Sequence, residues 1–86
     1  MNIRTFGLPG EFPESLVPAA AINFMIAHRG RPLEEAIDAG TARGYSPVVR
    51  PLPEMAGAWT YGFGIVVESC VVPFIVELSE FPAGHA

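Results

Sequence analysis

The sequence predicts an α+β domain in which a small, mainly antiparallel sheet of about four strands packs with two helices. The expected order is β-α-α-β-β-β, closing on a C-terminal β-hairpin. Three observations carry this. Large apolar residues alternate with small or polar ones through Trp59, Tyr61, Phe63, Ile65 and Val67, and again through Val72, Phe74, Val76 and Leu78, which is the period of strands with one buried face. Leu33, Ala36, Ile37 and Gly40 recur at the spacing of one helical stripe. Nine glycines and nine prolines in 86 residues keep every element short and exclude a coiled coil or a collagen-like rod.

At 86 residues the chain, 1–86, is read as a single domain, because one core usually occupies at least 50 residues. Half of it is apolar and only 16% is charged, which excludes a disordered polyelectrolyte.

Asn2 to Leu8 forms the first strand, closed by the turn formers Pro9 and Gly10. Helix one is expected over Leu16 to Arg29, with Ser15 as N-cap, Pro18 in the tolerant first turn and Gly30 as the left-handed stop. Between Leu16 and Ala27 only Pro18 and Asn23 are not apolar, so this helix shows no solvent face and is expected at the centre of the fold or under a partner. Helix two starts at Pro32, with Glu34 and Glu35 in its first turn and Arg43 in its last, which suits the helix dipole; Gly44 ends it. Tyr45 to Leu52 is a strand confined to a sheet edge, since Pro47 and Pro51 cannot donate ladder hydrogen bonds. Pro53 to Gly57 is a loop, and 82–86 a short mobile tail.

For the hairpin, the expected register sets Val67 opposite Val72 around a four-residue loop from Glu68 to Val71. Ile65 then meets Phe74, Phe63 meets Val76 and Tyr61 meets Leu78. A slip of one residue would turn Phe74 and Val76 away from Phe63 and Ile65, at roughly 1.5–3 kcal/mol for each large side chain. Ser69 and Cys70 lack the chemistry of a two-residue turn, which favours the longer loop.

Charge narrows the function. Nine acids, five arginines and no lysine give a net charge of −4, without the basic footprint that nucleic-acid binding requires. Neither apolar run, Leu16 to Ala27 or Phe63 to Leu78, reaches the roughly 20 residues that span a bilayer, and the N-terminus lacks a signal-peptide pattern. With Cys70 the only cysteine, no internal disulfide can form, and a cytoplasmic, soluble protein is expected. The absence of Lys and Gln beside abundant Ala, Gly, Pro and Arg suggests a GC-rich bacterial or bacteriophage gene.

No residue set reads as catalytic or metal-binding, and no cofactor is implied. His28 suits the C-terminal end of helix one as a dipole partner, and the only other histidine, His85, is in the tail. Cys70 lacks an identifiable base and reads as a small apolar residue. Glu68 and Glu77 fall on one face near each other in the expected register, but as solvated hairpin edges rather than an acid–base pair. Gly62 and Gly64 lie inside a strand, where they permit a bulge or a close approach rather than cradle a phosphate. The aromatic stripe Trp59, Tyr61, Phe63 is core.

The second hairpin face is the remaining candidate. Val66, Val71, Pro73 and Ile75 cluster there beside the shallow positions Gly62 and Gly64, rimmed by Glu68 and Glu77. Either it is a protein interface or helix one covers it. The first alternative gives a small non-enzymatic protein-binding module, an inhibitor or adaptor on a host protein complex. Its partner is another protein or a second copy in a homodimer. The competing reading is a small-molecule binder or minor enzyme with a pocket between helix one and the sheet, using Tyr61, Arg50 and Cys70.

Overall fold

The computed structural model describes residues 2–52 and 60–79. The elements are β1 (Ile3–Gly7), a 3-10 turn (Glu14–Leu16), α1 (Ala19–His28), α2 (Leu33–Ala42), β2 (Val48–Pro51), β3 (Thr60–Val67) and β4 (Cys70–Leu78). They build one four-stranded sheet in the order β1-β4-β3-β2, with every neighbouring pair antiparallel. This is the α+β architecture and the β-α-α-β-β-β order that the alternation predicts. β2 lies at an edge, where Pro51 can be tolerated, and it is shorter than the expected Tyr45 to Leu52, with Pro47 before its start. The expected loop over 53–57, the strand position of Trp59, and the tail with His85 lie outside the described residues.

Helix one starts three residues later than the Ser15 cap predicts. A proline disfavours helical backbone at the residue before it, and Val17 is indeed extended at φ −87° and ψ 129°. The chain therefore makes one 3-10 turn, straightens at Val17, and enters α1 from Pro18, whose fixed φ of −59° suits a helix entry. Both helices end as predicted on glycines with left-handed backbone, Gly30 at φ 80° and Gly44 at φ 79°.

The core lies between the helices and one face of the sheet. Ala21, Phe24 and Met25 of α1 and Ala36 of α2 pack with Ile3, Phe6, Phe63, Ile65, Val67, Val72, Phe74, Val76 and Leu78. Phe6 is the hinge of an aromatic chain, edge-on to Phe74 at 5.1 Å and tilted against Phe63 at 5.3 Å, and Phe24 continues it from above. The expectation that α1 has no solvent face is corrected here. Its outer side carries Ala19, Asn23, Ala27 and Ile26, the last 53% exposed, so α1 is not central within this chain and its outer side is built largely of small residues.

The hairpin register also differs from expectation. Val67 pairs with Cys70, Ile65 with Val72, Phe63 with Phe74 and Tyr61 with Val76, two residues away from the expected partners. The loop is the two-residue turn Glu68-Ser69, with φ of 53° and 69°, both in the left-handed region that a type I′ turn demands. A shift of two preserves the parity of every side chain, so each residue still lies on the predicted face. Gly62 and Gly64 sit in continuous ladder and make no bulge.

The bulge is in β1. Ile3 stands opposite Leu78 and Thr5 opposite Glu77, which leaves one extra residue on β1. The core positions of the strand become Ile3 and Phe6, three apart instead of two, and both Arg4 and Thr5 are free of the core.

Candidate functional site

Residues directly opposite in antiparallel strands share a face, so the ladders define rows across the outer side of the sheet. Val66 and Val71 form the row next to the hairpin turn; the next is Val48, Gly64 and Pro73; the third is Arg50, Gly62, Ile75 and Gly7. The last is Leu52, Thr60, Glu77 and Thr5, where the Leu52 amide donates to the Thr60 carbonyl at 2.9 Å. The face thus runs from exposed valines near the turn to a far row in which Leu52 and Thr60 are buried and the polar Thr5 and Glu77 reach the surface.

Its relief follows from the two glycines. A Cβ on Gly64 would meet nothing nearer than the Val48 carbonyl at 4.0 Å, and one on Gly62 would touch only the Leu52 side chain, at 3.6 Å. Large side chains on the neighbouring strands therefore wall a trough along β3. Val48 and Arg50 stand on one side and Pro73 on the other, enclosing about 200 Å³. Beside it Val48, Val66 and Val71 are 63%, 40% and 68% exposed. α1 and α2 pack on the opposite face, so the alternative in which helix one covers this surface does not occur within the described residues.

The two ends of this face differ in charge. At the polar end Arg4 donates from Nη2 to Glu77 Oε1 at 3.0 Å and the Thr5 hydroxyl donates to the same oxygen at 3.4 Å. The β1 bulge makes this possible by presenting two successive residues to one glutamate. Glu68 lies in the turn at the other end, eight residues along β3 from the Thr60 that faces Glu77, on the order of 25 Å away at strand rise. The expected proximity of Glu68 and Glu77 is therefore corrected, and Glu77 is engaged as an ion-pair partner. Arg50 makes no ion pair among the described residues.

The remaining candidates fall elsewhere. His28 is buried, stacks obliquely on Phe24 with ring centroids 4.3 Å apart, and its Nδ1–H donates to the Phe24 carbonyl at 2.8 Å. It closes the last turn of α1 as a core residue. Cys70 is half-buried at the hairpin end, its Sγ 4.0 Å from the Leu16 carbonyl oxygen. Tyr61, Arg50 and Cys70 are not brought together: Arg50 is on the outer face, while Tyr61 and Cys70 face the other way, about six residues apart along the hairpin. The space between α1 and the sheet is filled by Phe6, Phe24, Phe63 and their neighbours.

Sequence reasoning missed Val48 and Arg50 as walls of the trough, because only the pairing of β2 with β3 carries them there. It also missed a cleft of about 460 Å³ beside β1, bordered by Arg4, Thr5, Gly7, Gly10 and Arg29. Arg31, close by, is bound to Glu35 through two hydrogen bonds of 2.7 and 3.1 Å, which hold that carboxyl below its ordinary range. Among the described residues no helix is long and apolar enough to cross a membrane, and no three His, Cys, Asp or Glu side chains are grouped as a metal site would need. Compared with family models, curated proteins and solved structures, the chain matches none.

Proposed function

We propose that the protein is a non-enzymatic protein-binding module, an inhibitor or adaptor, that docks a partner protein on the outer face of its sheet. One observation carries the reading. Three valines from three different strands are exposed together beside a trough floored by glycine, and the helices of the described chain lie on the other side. Apolar patches of this kind with a polar rim favour association, because their burial releases water at about 25 cal/mol per Å². Arg50 and the Arg4–Glu77 pair supply that rim and would fix orientation rather than most of the affinity.

Val71→Arg tests the reading. Val71 is 68% exposed, so the substitution should move the melting temperature little, surface changes usually costing within about 0.5 kcal/mol. Tagged protein and variant are used in parallel to capture partners from cells of the source organism, and light scattering after gel filtration reads self-association. A defined complex or dimer formed by the natural chain and lost in the variant supports the proposal. A complex that survives Val71→Arg, or a chain that stays alone in both experiments, overturns it.

A further inference from the structure

We propose that the cleft beside the outer edge of β1 at Phe6 binds a carboxylate, presented by the end or by an acidic side chain of an extended peptide, with Arg29 as its anchor. This site adjoins the docking face, sharing Arg4, Thr5, Gly7 and Ile75 with its far rim, but Arg29 lies outside that face and the inference does not rest on it.

The backbone pattern locates the donors. The Leu52 amide bonds to Thr60, so Thr60 directs its backbone groups toward β2. In an antiparallel ladder bonded and non-bonded pairs alternate, and the N–H and C=O of one residue point to the same side. Tyr61 then bonds to Val76, Val76 turns away from β1, and Phe6 opposite it directs both its N–H and its C=O out of the sheet. The carbonyl is met by Arg29, whose Nε donates to it at 3.2 Å. The Phe6 N–H has no acceptor among the described residues.

Arg29 is held where it is by local structure. It is the residue after α1, its backbone is extended at φ −64° and ψ 132°, and the next residue, Gly30, donates to the Ile3 carbonyl at 2.8 Å. The connector is thereby clamped to β1, and the guanidinium is oriented by Phe6 while its terminal nitrogens meet no acceptor among the described residues.

Charge selects the ligand. Arg31 is occupied by Glu35 and Arg4 by Glu77, whereas Arg29 meets no carboxylate among the described residues. Counting Arg4, Glu77 and Arg29, the cleft carries one net positive charge in a protein of net charge −4, which suits a monoanion better than a dianion. A planar carboxylate matches the guanidinium fork and can also accept from the Phe6 N–H. The volume, about 460 Å³, is that of ordinary ligand clefts and leaves room for the chain that carries the carboxylate.

The test is an amide-resolved NMR titration of the whole chain with four probes. These are an acetylated alanine tetrapeptide with a free C-terminus, the same peptide amidated, an amidated peptide with one internal glutamate, and inorganic phosphate. The Phe6 amide and the Arg29 Nε should shift saturably with one or both carboxylate peptides, with affinity at least about tenfold above that of the amidated alanine peptide. Arg29→Gln should remove that preference, and Arg29→Lys, which keeps the charge but not the fork, should retain only part of it. Equal affinity for the acid and amide peptides, no saturable response to either carboxylate, or tighter binding of phosphate overturns the proposal. Should Arg29→Gln fail to fold, the comparison of acid with amide on the natural chain decides alone.

Discussion

A Cβ on Gly40 would stand 2.8 Å from Cγ of Pro47 and 3.6 Å from Cζ of Phe24. α2 therefore passes the segment leading into β2 at a distance only glycine permits, and a rigid proline ring is what it meets. Gly40→Ala sets two effects against each other. Helix propensity favours alanine by up to about 1 kcal/mol, whereas overpacking costs typically 1–3 kcal/mol. Pro47 cannot rotate away, so the steric cost should win and a thermal melt should show a lower midpoint. A raised midpoint would mean that α2 can shift freely, against the packing described.

The turn Glu68-Ser69 is the second place where residue and backbone disagree. Both residues hold positive φ, for which asparagine and glycine are the favoured pair. The double substitution Glu68→Asn with Ser69→Gly should stabilise the protein by about 1 kcal/mol or more. It should leave the pairing of Val67 with Cys70 unchanged in amide cross-peaks. A four-residue loop would show Val67 against Val72 instead and gain little.

Gly64→Val separates shape from stability on the outer face. Gly64 does not have left-handed backbone, and its missing Cβ has open space above it. A β-branched residue should therefore be accepted in β3, with stability unchanged or raised by up to about 1 kcal/mol. Filling the trough should nevertheless abolish capture of the partner. Retained capture by a folded variant would place the contact elsewhere.

Glu35 provides a test of the charged surface. Its carboxyl lies below the ordinary 4.5 because Arg31 donates hydrogen bonds to the ionised form. A depressed folded value means that the pair stabilises at pH above the unfolded value and that this contribution is lost as pH falls through the folded one. The NMR titration midpoint of Glu35 should lie below 4.5 and should rise toward it in Arg31→Gln. An unchanged midpoint in that variant would deny the pairing. Both side chains are exposed, so the effect should also shrink with added salt.

The alternation of β3 and β4, the stripe of α2 and the glycine stops after both helices were legible in the chain, because each depends on local periodicity or on the φ of one residue. Parity alone assigned Val66, Val71, Pro73 and Ile75 to one face, and it survived the error in register. Parity cannot see a shift of two residues. The register was decided by whether Glu68 and Ser69 would accept left-handed backbone, a cost repaid only by the long ladder of Phe63, Ile65 and Val67 with Phe74, Val72 and Cys70. The late start of α1 was legible in principle, since Val17 precedes Pro18.

Periods of 2 and 3.6 residues within one segment thus set the type and order of the elements and which side chains share a face, though not their ends, as the start of α1 at Ala19 shows. That β1 lies beside β4 and β2 beside β3 emerges from the assembled sheet and not from any one segment. The tertiary structure also placed Val48 and Arg50 at the wall of the trough, set the bulge that turns Arg4 and Thr5 toward Glu77, and brought Arg29 to the Phe6 carbonyl. Each of these joins residues far apart in the chain. Such pairings are chosen by the shared burial of Phe6, Phe24, Phe63 and Phe74 in one core, and no local pattern of residues carries that information.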